Sequence, residues 1–264
     1  MDYSGYKHMT FDRRDRILTM TFDHADTLNA VDNAMHGELS RVFYDIALDE
    51  ETDVVVVTGA GRAFSAGGDI AGMQEMLDKP HLFEMSIVEA KKIIFGVLEC
   101  DKPIICKMNG DAVGLGATLA LYCDIIFAAD HARIGDPHVR VALSAGDGGA
   151  VIWPQLIGFA RAKEYLITGD LITAPDAAAM GLINHAVPAA ELDARVDAFA
   201  DKLAAGATKS IKWTKVSINI ALKQLAHTMM DTCMAYEALS NGTGDHAEAV
   251  AAFTERRKPK FTGA

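Results

Sequence analysis

Two glycine-rich turns, each directly after a short β-branched run, constrain the fold of this chain more than any other feature. Residues 61–70 (GRAFSAGGDI) follow the run at 53–58, and residues 109–116 (NGDAVGLG) follow the run at 103–108. Apolar runs of this length and composition are typical of buried strands in parallel sheets. The turns are therefore predicted to lie where two strands end, in an α/β fold.

A helical pattern follows each turn. Ile70, Met73, Met76 and Leu77 keep helical spacing, and residues 115–121 form a stretch of helix-favouring residues. Free backbone N–H groups at a helix start, together with the helix dipole, favour a negatively charged oxygen. Two such turns predict a pair of amide donors that can stabilise an oxyanion.

The rest of the chain divides into a mixed part and a helical part. Residues 17–22 alternate as a strand, whereas 35–48 and 83–100 have helical spacing. Strand patterns end near Leu192, and apolar helical faces continue from there to a break at 241–244. We therefore expect an α/β core at 1–191 and a helical region at 192–264.

The two turns resemble the signatures of the crotonase, or enoyl-CoA hydratase/isomerase, superfamily. The first signature is matched at Gly61, Ala63, Phe64, Ala66, Gly67, Asp69 and Ile70, and the second at Lys102, Pro103, Ile105, Asn109, Gly110, Ala112, Gly114 and Gly116. Residues 123–129, 158–187, 28–30 and 253–261 are also similar to the family's pattern. The resemblance covers nearly the whole chain.

The resemblance implies a spiral of repeated ββα units with a C-terminal helical region that forms a homotrimer or a dimer of trimers. It implies acyl-CoA thioester substrates, with CoA as part of the substrate and no separate cofactor. By position, the amides of Gly68 and Leu115 would form the oxyanion hole, although the family commonly has glycine at the latter. Backbone groups at four further positions would hold the adenine and pantetheine portions: Leu28, Ala66, Asp69 and Ile70.

The acid/base positions depart from the family pattern. Hydratases of this family generally use two glutamates, and Thr118 and His138 stand at those positions here. A threonine hydroxyl is suited to hydrogen bonding with the substrate, not to acting as a base at neutral pH. An imidazole can accept and donate a proton, so His138 is a candidate base. The alternative is a surface histidine.

Asp147 is the second candidate base, because it stands between glycines in a context similar to family members that act on carbon–carbon bonds. An equally open interpretation makes Asp147 the N-cap of a helix that begins near Ala150. Asp136 and Arg140 are weaker candidates, expected to be solvated or paired with each other.

Three functions remain open within the family. The first is a hydratase/isomerase-type acyl-CoA enzyme; the second is a lyase or hydrolase that cleaves carbon–carbon bonds in a bulkier or cyclic acyl-CoA; the third is a non-catalytic CoA-binding protein. Apolar residues at 73–85 would suit a long, branched or cyclic acyl chain. A short-chain dehydrogenase is disfavoured, because the Tyr-x-x-x-Lys pair it needs occurs only at Tyr3 and Lys7, far upstream of the turn.

Composition narrows the choice of partner and compartment. The net charge of −11 argues against a nucleic-acid or anionic-membrane surface. No apolar run is long enough to span a bilayer, and the polar N-terminus is unlike a signal peptide. Four cysteines without C-x-x-C spacing are typical of reduced thiols in a cytoplasmic protein, and the histidine spacing indicates no metal site.

Overall fold

The computed structural model describes residues 1–264 and contains two sheets joined by helices. The larger sheet has the order β1-β2-β3-β5-β7-β10, antiparallel between β1 and β2 and parallel elsewhere. Its strands are β1 Met9–Arg14, β2 Ile17–Phe22, β3 Val54–Gly59, β5 Ile104–Met108, β7 Ile125–Ala129 and β10 His185–Val187. The smaller sheet pairs β4 Ala63–Ser65, β6 Asp111–Val113, β8 Arg133–Gly135 and β9 Ile172–Thr173.

The chain alternates between the sheets in a repeated order. Successive passes add β3 and β4, then β5 and β6, then β7 and β8, and a helix follows each pair. This is the spiral of ββα units that the sequence resemblance implies. The helices of this part are α1 Asn33–Leu48, α2 Ile70–Asp78, α3 Pro80–Glu99, α4 Leu115–Tyr122, α5 Gly149–Thr168 and α6 Ala174–Met180.

The interior of the spiral is built from the runs that the sequence pattern indicated. Every residue of β3 is buried, as is every residue of α4. Such elements have no solvent-facing side and therefore appear as continuous apolar runs instead of alternating patterns. The glycine turns leave this interior at the carboxyl ends of β3 and β5.

Two predicted helices begin earlier than their apolar periodicity suggests. α1 starts at Asn33 because the side chain of Asp32 accepts a hydrogen bond from the Met35 amide at 2.8 Å. α3 starts at Pro80, a residue suited to the first helical position because it has no N–H to satisfy. Both signals are polar or conformational and lie outside the apolar repeat.

The chain is helical from Leu192 to Thr254, apart from the short connections between helices. It forms α7 Leu192–Ala204, α8 Thr208–Asn241 and α9 Gly244–Thr254. α8 is 34 residues long and packs on α3 and α5, while α9 packs on α2. None of the helices combines the length and apolar character needed to cross a membrane.

Candidate active site

The two glycine turns touch each other because β4 and β6 are parallel neighbours. A Cβ atom at Gly67 would lie 2.5 Å from the carbonyl oxygen of Val113, and one at Gly116 would lie 2.7 Å from the Ser65 Cβ. Approaches this close require glycine. The glycines of both signatures therefore act in packing the turns together, in addition to shaping each turn.

The amides of Gly68 and Leu115 are both available to a ligand. Leu115 is the first residue of α4, so its N–H has no intrahelical acceptor. The Gly68 amide donates to no protein oxygen, whereas its neighbour Asp69 donates to Val31. Gly114, at φ 54° and ψ −125°, takes the left-handed conformation, so Leu115 itself has an ordinary φ and glycine is not required there.

The side chain of Asn29 anchors the first glycine-rich turn through hydrogen bonds. Its side-chain amide donates to the carbonyls of Ala60 and Ala63 at 2.9 Å, and its Oδ1 accepts from His24 at 3.0 Å. Asn29 and its neighbour Leu28 both have positive φ. The Leu28 carbonyl accepts the Ala66 amide at 3.0 Å, which ties the two predicted binding segments together.

One cavity of about 480 Å³ connects the turns with the acid/base candidates. Eight of the nine residues predicted for the site line it: Leu28, Ala66, Gly68, Asp69, Ile70, Leu115, His138 and Asp147. The side chain of Asp69 also caps α2, accepting from the Gly72 amide at 3.0 Å. Met73, Met76 and Phe83 form an apolar wall.

The ninth residue, Thr118, does not line the cavity, so its predicted contact with substrate stays a prediction. It lies fully buried in α4, and its hydroxyl donates to Asp147 Oδ1 at 3.3 Å. The helix is apolar on all sides, and this hydroxyl finds its acceptor in the neighbouring loop. Thr118 therefore orients the Asp147 side chain from a buried position next to the cavity.

His138 lies between two carboxylates. It begins a short 3-10 turn, His138–Val141, and its Nδ1 is hydrogen-bonded to Asp136. Its Nε2 lies 3.5 Å from Asp147 Oδ2. The side chain is 11 % exposed, so the expectation of a surface histidine is wrong.

The loop that carries Asp147 continues into α5 through a glycine with positive φ. The N-cap of α5 is Gly148, at φ 127°, and no side chain caps this helix, so the capping interpretation of Asp147 is not supported. Asp136 and Arg140 are not paired either. Arg140 pairs with Asp170, which leaves Asp136 to His138.

Burial and charge oppose each other in this cluster. Burial disfavours the imidazolium of His138, but the carboxylates of Asp136 and Asp147 outweigh it and raise the pKa of His138 well above its usual value. Burial also raises the pKa of Asp147, although His138 opposes that shift. The pKa values of His138 and Asp147 are therefore both raised, and each group shifts the pKa of the other.

Asp136, His138 and Asp147 also bring three potential metal-ligand atoms within 4.8 Å, which their linear spacing did not indicate. Asp136 and Asp147 face opposite nitrogens of the ring. His138 is therefore hydrogen-bonded to Asp136 and lies within ion-pair distance of Asp147, which borders the cavity.

Sequence reasoning missed Glu237 of α8, which lines the same cavity and is 7 % exposed. A signal was present, since Met230, Met234 and Glu237 are spaced to share one helical face. A single carboxylate on an apolar face indicates either a buried partner or a site.

Comparison with known proteins agrees with this geometry. The family model for enoyl-CoA hydratase/isomerase matches residues 12–264. A short-chain-enoyl-CoA hydratase of Clostridium acetobutylicum is 31 % identical over 95 % of this chain and 96 % of its own length. A 1,2-epoxyphenylacetyl-CoA isomerase of Escherichia coli is 31 % identical over 94 % of this chain and 95 % of its own.

A solved structure gives the same result in three dimensions. The crystal structure of an enoyl-CoA hydratase/isomerase from Mycobacterium paratuberculosis superimposes with a TM-score of 0.91 at 33 % identity, covering 94 % of this chain and 99 % of that one. The chain belongs to the enoyl-CoA hydratase/isomerase family.

Proposed function

We propose that this acyl-CoA enzyme of the hydratase/isomerase type moves a proton on an enoyl-CoA thioester, with Asp147 as the base. One observation carries the proposal. The free amides of Gly68 and Leu115 line the same cavity as Asp147 and His138. A thioester carbonyl bound to the amides would place its α carbon in reach of a base only if both groups share one space, as they do here.

The chemistry follows from the charges. Asp147 removes the proton α to the thioester, and the electron pair moves onto the carbonyl oxygen, where the two amides stabilise it. Protonated His138, hydrogen-bonded to Asp136, favours the ionised form of Asp147 before the transfer. Return of the proton to a different carbon shifts the double bond.

The walls of the cavity support an apolar acyl group. Met73, Met76 and Phe83 come from α2 and α3, and Met234 comes from α8. Flexible methionine side chains adapt to ligands of different shape. We therefore favour a medium-length or cyclic apolar acyl chain over a charged one.

Hydration is the second candidate reaction. His138 Nε2 lies 3.5 Å from Asp147 Oδ2, so two groups that exchange protons border the cavity side by side. Such a pair could activate a water molecule and then protonate the α carbon. Carbon–carbon cleavage of a bulkier acyl-CoA uses the same enolate and is the third candidate.

We also propose a homotrimer, which the exposed face of α8 supports. Five apolar side chains of this helix are each more than half exposed: Trp213, Ile218, Ile220, Tyr236 and Leu239. Large exposed apolar surfaces are typical of subunit contacts.

The four free cysteines support a reducing, cytoplasmic location.

The test is to incubate the enzyme in D2O with crotonyl-CoA and, separately, with 3-hexenoyl-CoA. Products are followed by absorbance of the conjugated thioester and by mass. Formation of the 2-enoyl thioester with deuterium at the α or γ carbon is expected. A gain of water by crotonyl-CoA without any migration would favour hydration, and binding of both thioesters without deuterium uptake would contradict proton transfer altogether.

A further inference from the structure

Glu237 is a carboxyl group that the mechanism above does not use. Its side chain borders the cavity and is 7 % exposed, yet its Oε2 has no hydrogen-bond partner. An unpartnered buried carboxylate oxygen carries a large desolvation penalty. A residue kept in this state is a candidate for a role toward the ligand.

The loop that carries Asp147 is packed against Glu237. A Cβ at Gly146 would lie 2.4 Å from the carbonyl oxygen of Cys233 and 2.7 Å from Glu237 Oε2. Glycine at 146 therefore allows this loop to touch α8. Asp147 is the next residue, so the two carboxyl groups enter the cavity from adjoining elements.

Several charged or titratable groups act on Glu237. His138, Asp147 and Asp136 face it from the loop side, and Cys233 precedes it by one turn on α8. Burial raises the pKa of Glu237 to about 8, opposed by His138 and supported by Asp147 and Asp136. A carboxyl group with a pKa of about 8 holds its proton at neutral pH.

We propose that Glu237 is a second catalytic acid/base group, which donates its carboxyl proton to the γ carbon of the substrate while Asp147 accepts the proton from the α carbon. This inference rests on the proposed double-bond migration. As the α C–H bond breaks, its electrons pass to the thioester oxygen at Gly68 and Leu115. The carbonyl then re-forms, a new double bond forms between the α and β carbons, and the electrons of the former β–γ double bond form the C–H bond at the γ carbon with the proton of Glu237.

The cycle closes without another reactant. After one turnover Asp147 is neutral and Glu237 is ionised, so one proton must move from the first to the second. His138, which faces both groups, and solvent are the available routes. The arrangement assigns removal and delivery of the proton to different residues, unlike a mechanism with one base.

The experiment compares Glu237→Gln with Glu38→Gln. Glu38 is a glutamate of equal exposure, 7 %, that accepts backbone hydrogen bonds from Lys7 and His8 and does not line the cavity. With 3-hexenoyl-CoA in D2O, Glu237→Gln should still exchange the α proton but should isomerise at least tenfold more slowly. It should also lose the decline in kcat near pH 8, and Glu237→Asp should restore that limb.

Two results would overturn the inference. The first is isomerisation by Glu237→Gln at the wild-type rate with an unchanged pH profile, which would leave the proton-transfer function intact and remove Glu237 from it. The second is the absence of both exchange and isomerisation in the wild-type enzyme, which would overturn the proposed function and this inference together. A cooperative melting transition and thioester binding equal to that of the wild type would show that Glu237→Gln folds.

Discussion

The amide half of the site and the acid/base half are built by different means. The amides of Gly68 and Leu115 are backbone groups, placed by glycines that closely follow β4 and β6. The acid/base half consists of side chains from a 3-10 turn, from the loop before α5 and from α8. Its members lie up to 101 positions apart, counting from Asp136 to Glu237.

The difference shows which half can change its chemistry. Replacing a side chain leaves the main chain in place, whereas altering a glycine moves the donor itself. The amide half can therefore stay constant while the other half acquires a new acid/base set. In this chain, the resemblance to the family signatures implies such a change, with Thr118 and His138 at the positions where glutamates are expected and with both glycine turns present.

The side-chain half should give the largest loss. We expect Asp147→Asn to lower kcat for 3-hexenoyl-CoA about 10²- to 10⁴-fold, because the amide cannot accept the α proton. Thioester affinity should stay within a few-fold, since the amide donors are unchanged. Stopped-flow absorbance and equilibrium binding measure the two quantities, and a variant that retains wild-type exchange would remove Asp147 as the base.

A substitution at Gly114 can disturb the amide half through its backbone conformation alone, without a steric clash. A Cβ there would have no contact closer than 3.8 Å, but Gly114 has φ 54° and ψ −125°. We expect Gly114→Ala to turn the Leu115 amide away and to reduce kcat about 10²-fold, in line with loss of one oxyanion donor. Gly181→Ala is the control, because its φ is 84°, its Cβ would meet nothing within 4 Å and it lies outside the cavity.

The pH dependence of the free energy of unfolding should distinguish the two halves of the site, because only the acid/base half contains titratable groups. The raised pKa of Glu237, about 8, means that the folded state holds a proton which the unfolded chain releases near pH 4.5. The contribution of Glu237 to the free energy of unfolding is then fully present below about pH 4.5 and is lost as pH rises to about 8, and the raised pKa of His138 adds a loss of the same sign as pH rises. At 1.36 kcal/mol per pKa unit the total is on the order of a few kcal/mol.

Chemical denaturation at pH 5, 7 and 9 measures this slope. Glu237→Gln should flatten it, because the amide does not titrate. Gly114→Ala should leave the slope as it is in the wild type, since no titratable group is removed. A slope shared by the wild type and Glu237→Gln would place the responsible groups elsewhere.

Thr118 should give the smallest effect. The 3.3 Å hydrogen bond from Thr118 lowers the pKa of the Asp147 carboxyl. Thr118→Val removes this bond and should therefore raise that pKa. A hydrogen bond contributes about 0.5 to 1.5 kcal/mol, so kcat at pH 7 should fall about two- to tenfold and recover at higher pH. Thr58→Val is the matched control, because Thr58 is also buried and donates its hydroxyl hydrogen bond outside the cavity, to the carbonyl of Lys107. An unchanged pH profile in Thr118→Val would argue against its positioning role.

The amide half was predictable from sequence because its cause is local. A strand, a glycine turn and a helix start are contiguous, and Leu115 proved acceptable since the positive φ falls on Gly114. The partnerships of the other half depend on tertiary packing. His138 was identified, but its pairing with Asp136 was not, because Asp136 was expected to be solvated or to pair with Arg140, which instead pairs with Asp170.

Glu237 shows the same limit at longer range. Its helix was predicted, and the Met230 and Met234 face was recognised as apolar. What makes the glutamate notable is the loop that contacts it through Gly146, and no pattern within α8 records that contact. The helical spacing predicts which face of α8 carries Glu237, but only the tertiary fold shows that the Gly146 loop packs against it.

α2 forms a wall of the cavity, yet none of its residues is buried, although Ile70, Met73, Met76 and Leu77 follow an apolar repeat. A helix of nine residues has little stability of its own. An acyl chain lying on this face would give α2 the apolar contacts that the protein interior gives to α1 and α3. Substrate binding and local folding would then be one event, and hydrogen exchange in α2 would slow most for the acyl chains that fit best.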